Sequence, residues 1–464
     1  MKRLICVLFT LVLGFSAVSA GQGIPAFKSG EVVALVGDSI THGGHYHSYI
    51  WLYYMTRFPG MPVTLVNCGV GGDEARSILA RWDWDVARRN PTYVTLTFGM
   101  NDTGYWGIYG NEKSDSLSAA KVKASLEQFE GLQERLEKLP EGTQVVMIGG
   151  SPYDETSTFS DGILPGKNDA ICRIIAAQQA AAAAHGWGFV DFNEPMVALA
   201  SVAQDADPAY SFCPQDRIHP DKDGQMVMAY LFLKAQGLAG TPVARMDLDA
   251  GSAKVIAAEN CELSALRKKR DLFSFDYLAR ALPYPCDSIS EHGWGNIHSQ
   301  RDALKMIPFT EEFNQETLRV RRLAEGTYRL SIDGQPVADF SSAELDAGVN
   351  LATLTNTPQY RQASEVMYLN EERFEVEKRL REYVWMEYNM FKDSDQLFKD
   401  DWKSVEMVEI EAQRNPFVAW SGYWYKKSIY PEVRRAWVNY MADLVRTIYT
   451  VNQPVKRTLS LKKI

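Results

Sequence analysis

Short apolar runs separated by longer amphipathic stretches set the pattern of the first half of the chain. Residues 31–36 (Glu-Val-Val-Ala-Leu-Val), 62–67 (Pro-Val-Thr-Leu-Val-Asn), 93–98, 144–148 and 189–192 are rich in Val, Thr and Ile, and each is followed by polar residues or glycine. Runs of this length and composition predict buried β-strands. Between them, residues 48–58, 75–89, 119–139 and 169–184 read as helices, the last two with apolar residues at helical spacing, and 226–236 reads as a closing helix. Strand and helix in alternation predict an α/β fold with a parallel sheet covered by helices on both faces. Ligands of such sheets bind beyond the carboxyl ends of the strands.

After Gly237–Pro242 the texture changes. Residues 243–305 are mixed, with a basic cluster at Arg267–Arg270. Residues 306–355 look β-rich, with a strand at Leu318–Arg321 and a hairpin arm over Gly326–Gly334. From Gln359 onward the pattern is helical, rich in Trp and Tyr, and runs to a basic end at Lys456–Lys463. A chain of 464 residues exceeds what one compact core holds. The expected organisation is a leader over 1–20, an α/β domain over 24–240, a mixed β-rich extension over 241–355 and a helical, aromatic-rich region over 356–464. With no repeat and no low-complexity linker, the second half is expected to pack onto the first.

The first twenty residues stand apart. Lys2 and Arg3 precede an apolar run from Leu4 to Phe15, and Ala17-Val18-Ser19-Ala20 supplies the small residues of a cleavage site. This is the pattern of a secretory signal peptide. The run is shorter than the roughly 20 residues of a spanning helix, and no Cys follows a small-residue site, so neither a membrane nor a lipid anchor is expected. The expectation is an exported protein, periplasmic or extracellular. The formal charge of −9 becomes −11 once Lys2 and Arg3 are removed, which disfavours nucleic acid and anionic lipid as partners. Of the six cysteines, Cys6 lies in the leader. Cys68, Cys172, Cys213, Cys261 and Cys286 form no C-x-x-C pair, so zinc and thioredoxin chemistry are not indicated. One or two disulfides are compatible with export.

Four polar signatures follow or precede the predicted elements in order. They are Gly37-Asp38-Ser39-Ile40, Asn67-Cys-Gly69-Val-Gly71-Gly72-Asp73, Gly99-Met100-Asn101-Asp102 and Asp216-Arg217-Ile218-His219-Pro220. A serine hydroxyl becomes a useful nucleophile when a base takes its proton, and histidine does this near neutral pH. Asp216 stands three residues from His219, close enough to orient the ring. A glycine turn and a neutral Asn side chain, placed after neighbouring strands, supply N–H donors for a tetrahedral oxyanion.

The four blocks together resemble the SGNH/GDSL hydrolase family over about residues 30–238. The resemblance implies a three-layer α/β/α sandwich of flavodoxin-like type, to which the C-terminal β and helical extension is foreign. It implies Ser39 as nucleophile, His219 as base and Asp216 as its orienting carboxylate. The N–H groups of Ser39 and Gly72 and the Asn101 amide would form the oxyanion hole. No cofactor is implied. There is no G-x-S-x-G elbow of the α/β-hydrolase kind.

Asp38, Asp73 and Asp102 read as structural. His42, His45 and His47 lack an acidic companion or an H-E-x-x-H pattern, so no metal is expected, and His42 is placed at the pocket mouth. Tyr105 and Trp106 are candidates for stacking on a substrate, and Tyr109 lies in the same stretch. Trp420, Tyr423, Trp424 and Tyr425 read as helix packing. The expected activity is hydrolysis of short acyl esters, foremost acetyl, on a small-molecule or glycan substrate, with export, acidity and the aromatic residues near the site favouring carbohydrate deacetylation. Lipid-ester hydrolysis and acyl transfer use the same triad and stay open, as does carbohydrate binding on a degenerate hydrolase fold. Oligomeric state is not read from the sequence.

Overall fold

The computed structural model describes residues 23–289 and 297–464. The leader read over residues 1–20, with Cys6, lies outside the described residues. Strands β1 (Val32–Gly37), β2 (Thr64–Gly69), β3 (Tyr93–Leu96), β4 (Gln144–Gly149) and β5 (Gly188–Asp191) pair in parallel in the order β2-β1-β3-β4-β5. Helices α1 (Ser39–Gly43), α2 (Tyr46–Arg57), α3 (Ala75–Arg81), α4 (Ser114–Glu137), α5 (Lys167–His185), α6 (Asn193–Gln204) and α7 (Lys222–Ala235) connect them. The apolar run of β1 divides by side. Val33 and Leu35 pack with Trp51 and Tyr54 of α2 and Val227 and Phe232 of α7. Ala34 and Val36 pack with Ile78, Phe129 and Ile174 of α3, α4 and α5. A strand apolar on both faces needs cover on both, and the result is an α/β/α sandwich with the flavodoxin-like strand order.

Two differences from the sequence reading matter. Helix α6 was not expected; Pro195 sits in its first turn, where proline is tolerated, and apolar residues lie on both its sides, Met196, Leu199 and Ala200 toward the core and Val197 and Val202 exposed, which blurs the helical period. The helix expected over 75–89 is α3 followed by a π-turn at Trp82–Val86 and a 3₁₀ turn at Ala87–Arg89. The π-turn contains the fully buried Asp85, in keeping with the frequent use of such bulges at functional sites.

Beyond residue 240 lie β6 (Ala244–Asp249), β7 (Lys254–Glu259), β8 (Cys261–Lys269), β9 (Leu272–Ala279), β10 (Glu316–Arg321), β11 (Thr327–Ile332), β12 (Gln335–Ser341), β13 (Val349–Asn350) and β14 (Arg457–Lys463). They form two sheets, β13-β10-β6-β7 and β12-β11-β14-β9-β8. Met246, Leu248, Leu318 and Val320 of one share a core with Phe273, Phe275, Leu330, Leu459 and Leu461 of the other. The mixed stretch at 243–305 thus contains four strands, and the Arg267–Arg270 cluster is the exposed end of β8 and the start of its turn into β9. The last residues are not helical, contrary to the expectation for 356–464. Leu459 and Leu461 alternate with polar neighbours, and β14 returns between β11 and β9.

Helices α8 (Phe309–Phe313), α9 (Ser342–Ala347), α10 (Pro358–Met386), α11 (Trp402–Glu411), α12 (Pro416–Ser428) and α13 (Pro431–Val451) complete the chain. Thr357 caps α10, accepting from the Tyr360 N–H at 3.2 Å, with Pro358 in the first helical position. Ala363, Val366 and Met367 of α10 join the α/β core, and Tyr383, Val384 and Met386 pack around Val70. The second half therefore packs onto the first. Of the aromatic run in α12, Tyr425 is buried and Trp420 and Tyr423 are exposed. The five cysteines of the described residues are free thiols. No helix among the described residues is long and apolar enough to cross a membrane.

Candidate active site

Strand β1 ends at Gly37 and α1 begins at Ser39, which puts the serine at the carboxyl edge of the sheet. Asp38 caps this turn, its Oδ1 accepting from the Ile40 N–H at 2.9 Å. Burial pushes the Asp38 carboxyl up to about 6, against the pull of that N–H. The turn leaves no space for side chains: a Cβ on Gly37 would lie 2.2 Å from Thr41 Oγ1, and one on Gly69 2.3 Å from the His42 nitrogen. Only glycine permits that approach.

His219 Nε2 lies 2.8 Å from Ser39 Oγ, and its Nδ1 lies 2.5 Å from Asp216 Oδ2. Asp216 Oδ1 accepts the N–H groups of Ile218 and His219, both at 2.9 Å. Burial raises the Asp216 carboxyl, but the hydrogen bond and charge of His219 and the two N–H groups outweigh it, and the carboxyl falls below its ordinary value. An ionised Asp216 holds the proton on Nδ1, which leaves the Nε2 lone pair to receive the Ser39 proton.

Arg217 shapes this loop. It is buried in the left-handed region at φ 66°, where a side chain other than Gly, Asn or Asp is uncommon. Its guanidinium donates to the carbonyls of Asp154 (3.2 Å), Ser157 (3.0 Å) and Ser160, and its own carbonyl accepts from the Asp154 N–H at 2.9 Å. The inward Arg217 anchors the turn that carries Asp216 and His219. Sequence reasoning gave it no role; an arginine between two candidate residues was the only signal.

Gly72 has φ 84°. Among the described residues, the N–H groups of Ser39 and Gly72 have no protein acceptor. Asn101 Nδ2 donates to Asp73 O at 3.0 Å, and its Oδ1 accepts from Tyr105 OH at 2.8 Å, so the amide is fixed with one N–H left over. Lys167 supports this turn from below. It is fully buried, its Nζ donates to Met100 O (2.6 Å), Thr103 Oγ1 (2.8 Å) and Gly104 O (2.7 Å), and it stands 3.9 Å from the Tyr105 ring centre. Burial lowers the Lys167 ammonium to about 7, against the nearby carboxylates. Nothing in the sequence distinguishes it from other helix lysines.

The structure brings Ser39, His219, Asp216, Gly72 and Asn101 to one sheet edge. The remaining candidates divide. Tyr105 is engaged by Asn101 and Lys167, Tyr109 is buried with its hydroxyl on Thr103 O (2.9 Å), and Trp106 is 76 % exposed. His42 is buried; its Nδ1 accepts from the Gly71 N–H at 3.2 Å and its Nε2 lies 3.4 Å from Glu382 Oε1. It supports the Gly71–Gly72 turn rather than standing at the mouth of the pocket. His45 stacks on Tyr49, and His47 Nε2 pairs with Thr41 O at 3.0 Å. Asp38, Asp73 and Asp102 brace turns: Asp73 receives Arg81 Nε at 2.6 Å, and Asp102 receives Ala75 N–H and the Ser125 hydroxyl.

Residues 35–227 match the GDSL-like lipase/acylhydrolase family, and residues 364–453 match the diltiazem deacetylase C-terminal helical domain. The solved structure of a gut microbial diltiazem-metabolizing enzyme is 44 % identical, covering 96 % of this chain and 100 % of its own, with a TM-score of 0.92. An acetylxylan esterase of Geobacillus stearothermophilus is 26 % identical over 236 residues, 45 % of this chain and 95 % of that protein. The crystal structure of a catalytic mutant of an acetylxylan esterase from the same organism aligns at 20 % identity over 46 % of this chain and 96 % of its own, with a TM-score of 0.36.

Proposed function

We propose that this chain, which belongs to the SGNH/GDSL hydrolase family and is a carboxylic ester hydrolase, removes short acyl groups, foremost acetyl, through Ser39. The observation that carries this reading is the hydrogen-bonded line from Ser39 Oγ through His219 to Asp216. His219 Nε2 takes the Ser39 proton as Oγ attacks the ester carbonyl carbon. The carbonyl electrons move to oxygen, and the N–H groups of Ser39 and Gly72 and the free Asn101 N–H receive that oxyanion. Collapse breaks the bond to the alcohol, which leaves with the proton held on His219. Water then gives a proton to His219 and its oxygen to the acyl carbon, and the tetrahedral intermediate releases the acid and restores Ser39.

Two relationships support acetyl as the acyl group: the family of the C-terminal helices is named for a diltiazem deacetylase, and one relative is an acetylxylan esterase. For the alcohol, an acetylated carbohydrate accords with the leader read over residues 1–20 and with export. The likeness over the whole chain to a diltiazem-metabolizing enzyme favours a second reading, an acetylated small aromatic molecule. The test compares acetate release from acetylated xylooligosaccharides and from diltiazem, with p-nitrophenyl acetate, butyrate and octanoate as a chain-length series. Fast release from only one of these two acetates, the xylooligosaccharide or diltiazem, selects that alcohol. A preference for octanoate overturns the acetyl reading.

A further inference from the structure

The segment Gly69–Asp73 is held from two sides. Within the α/β domain, Gly69 N–H donates to Asn67 Oδ1 (2.8 Å), Val70 N–H to Gly37 O (3.0 Å) and Asp73 N–H to Val70 O (3.2 Å). The other side is helix α10, more than 300 residues further along the chain. Arg381 Nε donates to Gly69 O at 3.0 Å, and Trp385 Nε1 donates to Gly71 O at 3.0 Å, with Asn389 Nδ2 on the same oxygen at 3.5 Å.

The Gly71 carbonyl and the Gly72 N–H belong to one planar peptide unit and point in opposite directions. A peptide between two glycines has little steric resistance to turning over. A donor fixed on Gly71 O therefore fixes the direction of the Gly72 N–H, and a polarised carbonyl makes that N–H a stronger donor. The fit is close: a Cβ on Gly71 would stand 3.2 Å from Trp385 Nε1.

Gly71 N–H is held as well, by His42 Nδ1. That nitrogen accepts only when the ring proton is on Nε2, and Glu382 Oε1 stands 3.4 Å from Nε2, outside hydrogen-bond geometry but close enough for its charge to favour the proton there. Glu382 Oε2 accepts in turn from Ser421 Oγ of α12 at 2.5 Å. Burial raises the Glu382 carboxyl, but His42, Ser421 and Lys378 bring it below its ordinary value, so it is ionised and able to hold that tautomer.

We infer that Trp385 and Glu382, on a helix outside the α/β domain, are positioning residues for the oxyanion donor at Gly72: Trp385 locks the Gly71–Gly72 peptide plane, and Glu382 fixes the His42 tautomer that holds Gly71 N–H. This rests on the reading of Ser39 as nucleophile. The extension is thereby part of the esterase machinery, although it contributes no group to the acyl carbon.

The experiment measures kcat and KM for p-nitrophenyl acetate per active site, with sites counted by a fluorophosphonate run to completion. Trp385→Phe keeps an aromatic ring against Gly71 and removes the donor. It is expected to lower kcat per site roughly tenfold, less than the 10²–10³ of deleting an oxyanion donor outright, with KM within about twofold. His42→Leu removes the acceptor at the Nδ1 position and is expected to act alike, and His42→Asn, which places an amide oxygen there, recovers most of the loss. If Trp385→Phe fails to fold, the His42 pair decides. Unchanged kcat per site in Trp385→Phe, or a change in KM alone, overturns the assignment of Trp385. An Asn variant as impaired as the Leu variant overturns the role of His42, and a Glu382→Gln variant with unchanged kcat per site overturns that of Glu382. Ser39→Ala is run in parallel: turnover surviving in that variant sinks the site reading itself, and its loss leaves the site standing whatever the other variants do.

Discussion

Arg381 donates to both carboxylate oxygens of Asp85, at 2.8 and 2.6 Å, across 296 residues of chain. Asp85 also receives Arg81 at 2.7 Å, and Arg81 reaches Asp73 (2.6 Å) and Gly37 O (3.2 Å). All four charged side chains are buried. One ionic cluster thus joins α10, the π-turn after α3, the Gly69–Asp73 segment and the end of β1.

Removing Arg381 leaves Asp85 short of a partner in a dry site, and breaking a buried pair costs about 3–5 kcal/mol. Arg381→Met is expected to melt several degrees below wild type at neutral pH. Burial raises the Asp85 carboxyl, but Arg381 and Arg81 outweigh it and hold it well below its ordinary value. A depressed carboxyl stabilises above the unfolded pKa of about 4 and loses that contribution as pH falls further. The gap between the two melting curves is therefore expected to narrow below about pH 4. A gap that does not change with pH contradicts the ionic account.

Lys167 carries three acceptors of the turn that presents Asn101. Lys167→Met fills similar volume without the donors. It is expected to lose roughly tenfold in kcat, because a loosened oxyanion donor forfeits part of the 10²–10³ such a group supplies, together with some thermal stability. Steady-state kinetics on p-nitrophenyl acetate checks this; an unchanged kcat shows that the turn holds without it.

The sheet and the four blocks were legible because both are local. Val33 to Val36 must be covered on two faces wherever the helices come from, and Gly37, Gly69 and Gly72 mark turns that few other residues can make. What joins the halves is not local. Nothing near Arg381 or Trp385 in the chain tells that their partners are Asp85 and Gly71, since a charged or aromatic residue on a helix reads the same whether it meets water or a distant loop. Strand β14 was hidden differently: Leu459 and Leu461 alternate as a strand requires, but the flanking lysines and arginine gave the segment the look of a basic tail. Lys167 opens a helix and bears no mark of its burial.

Glu316 is fully buried, its Oε1 accepting from Tyr277 OH (2.8 Å) and Gln359 Nε2 (3.0 Å). Burial pushes its carboxyl up to about 7, against those bonds and Arg57. A raised folded pKa means that stability is complete below the unfolded value of about 4.3 and is lost as pH rises through 7, at up to about 1.4 kcal/mol per pH unit. Glu316→Gln is neutral throughout. Its melting temperature is expected to match wild type near pH 4 and to exceed it at pH 8, read by calorimetry across that range. A variant less stable than wild type at pH 8 would mean that the buried group is held ionised.

The central claim is that Ser39 is the residue acylated. Its most direct test is mass spectrometry of the intact protein and its peptides after a fluorophosphonate reaction, for wild type and Ser39→Ala. The account predicts one adduct per wild-type chain, on the peptide containing Ser39, and none on the variant, which is folded and inactive toward p-nitrophenyl acetate. An adduct on another residue, or equal labelling of both proteins, would contradict it.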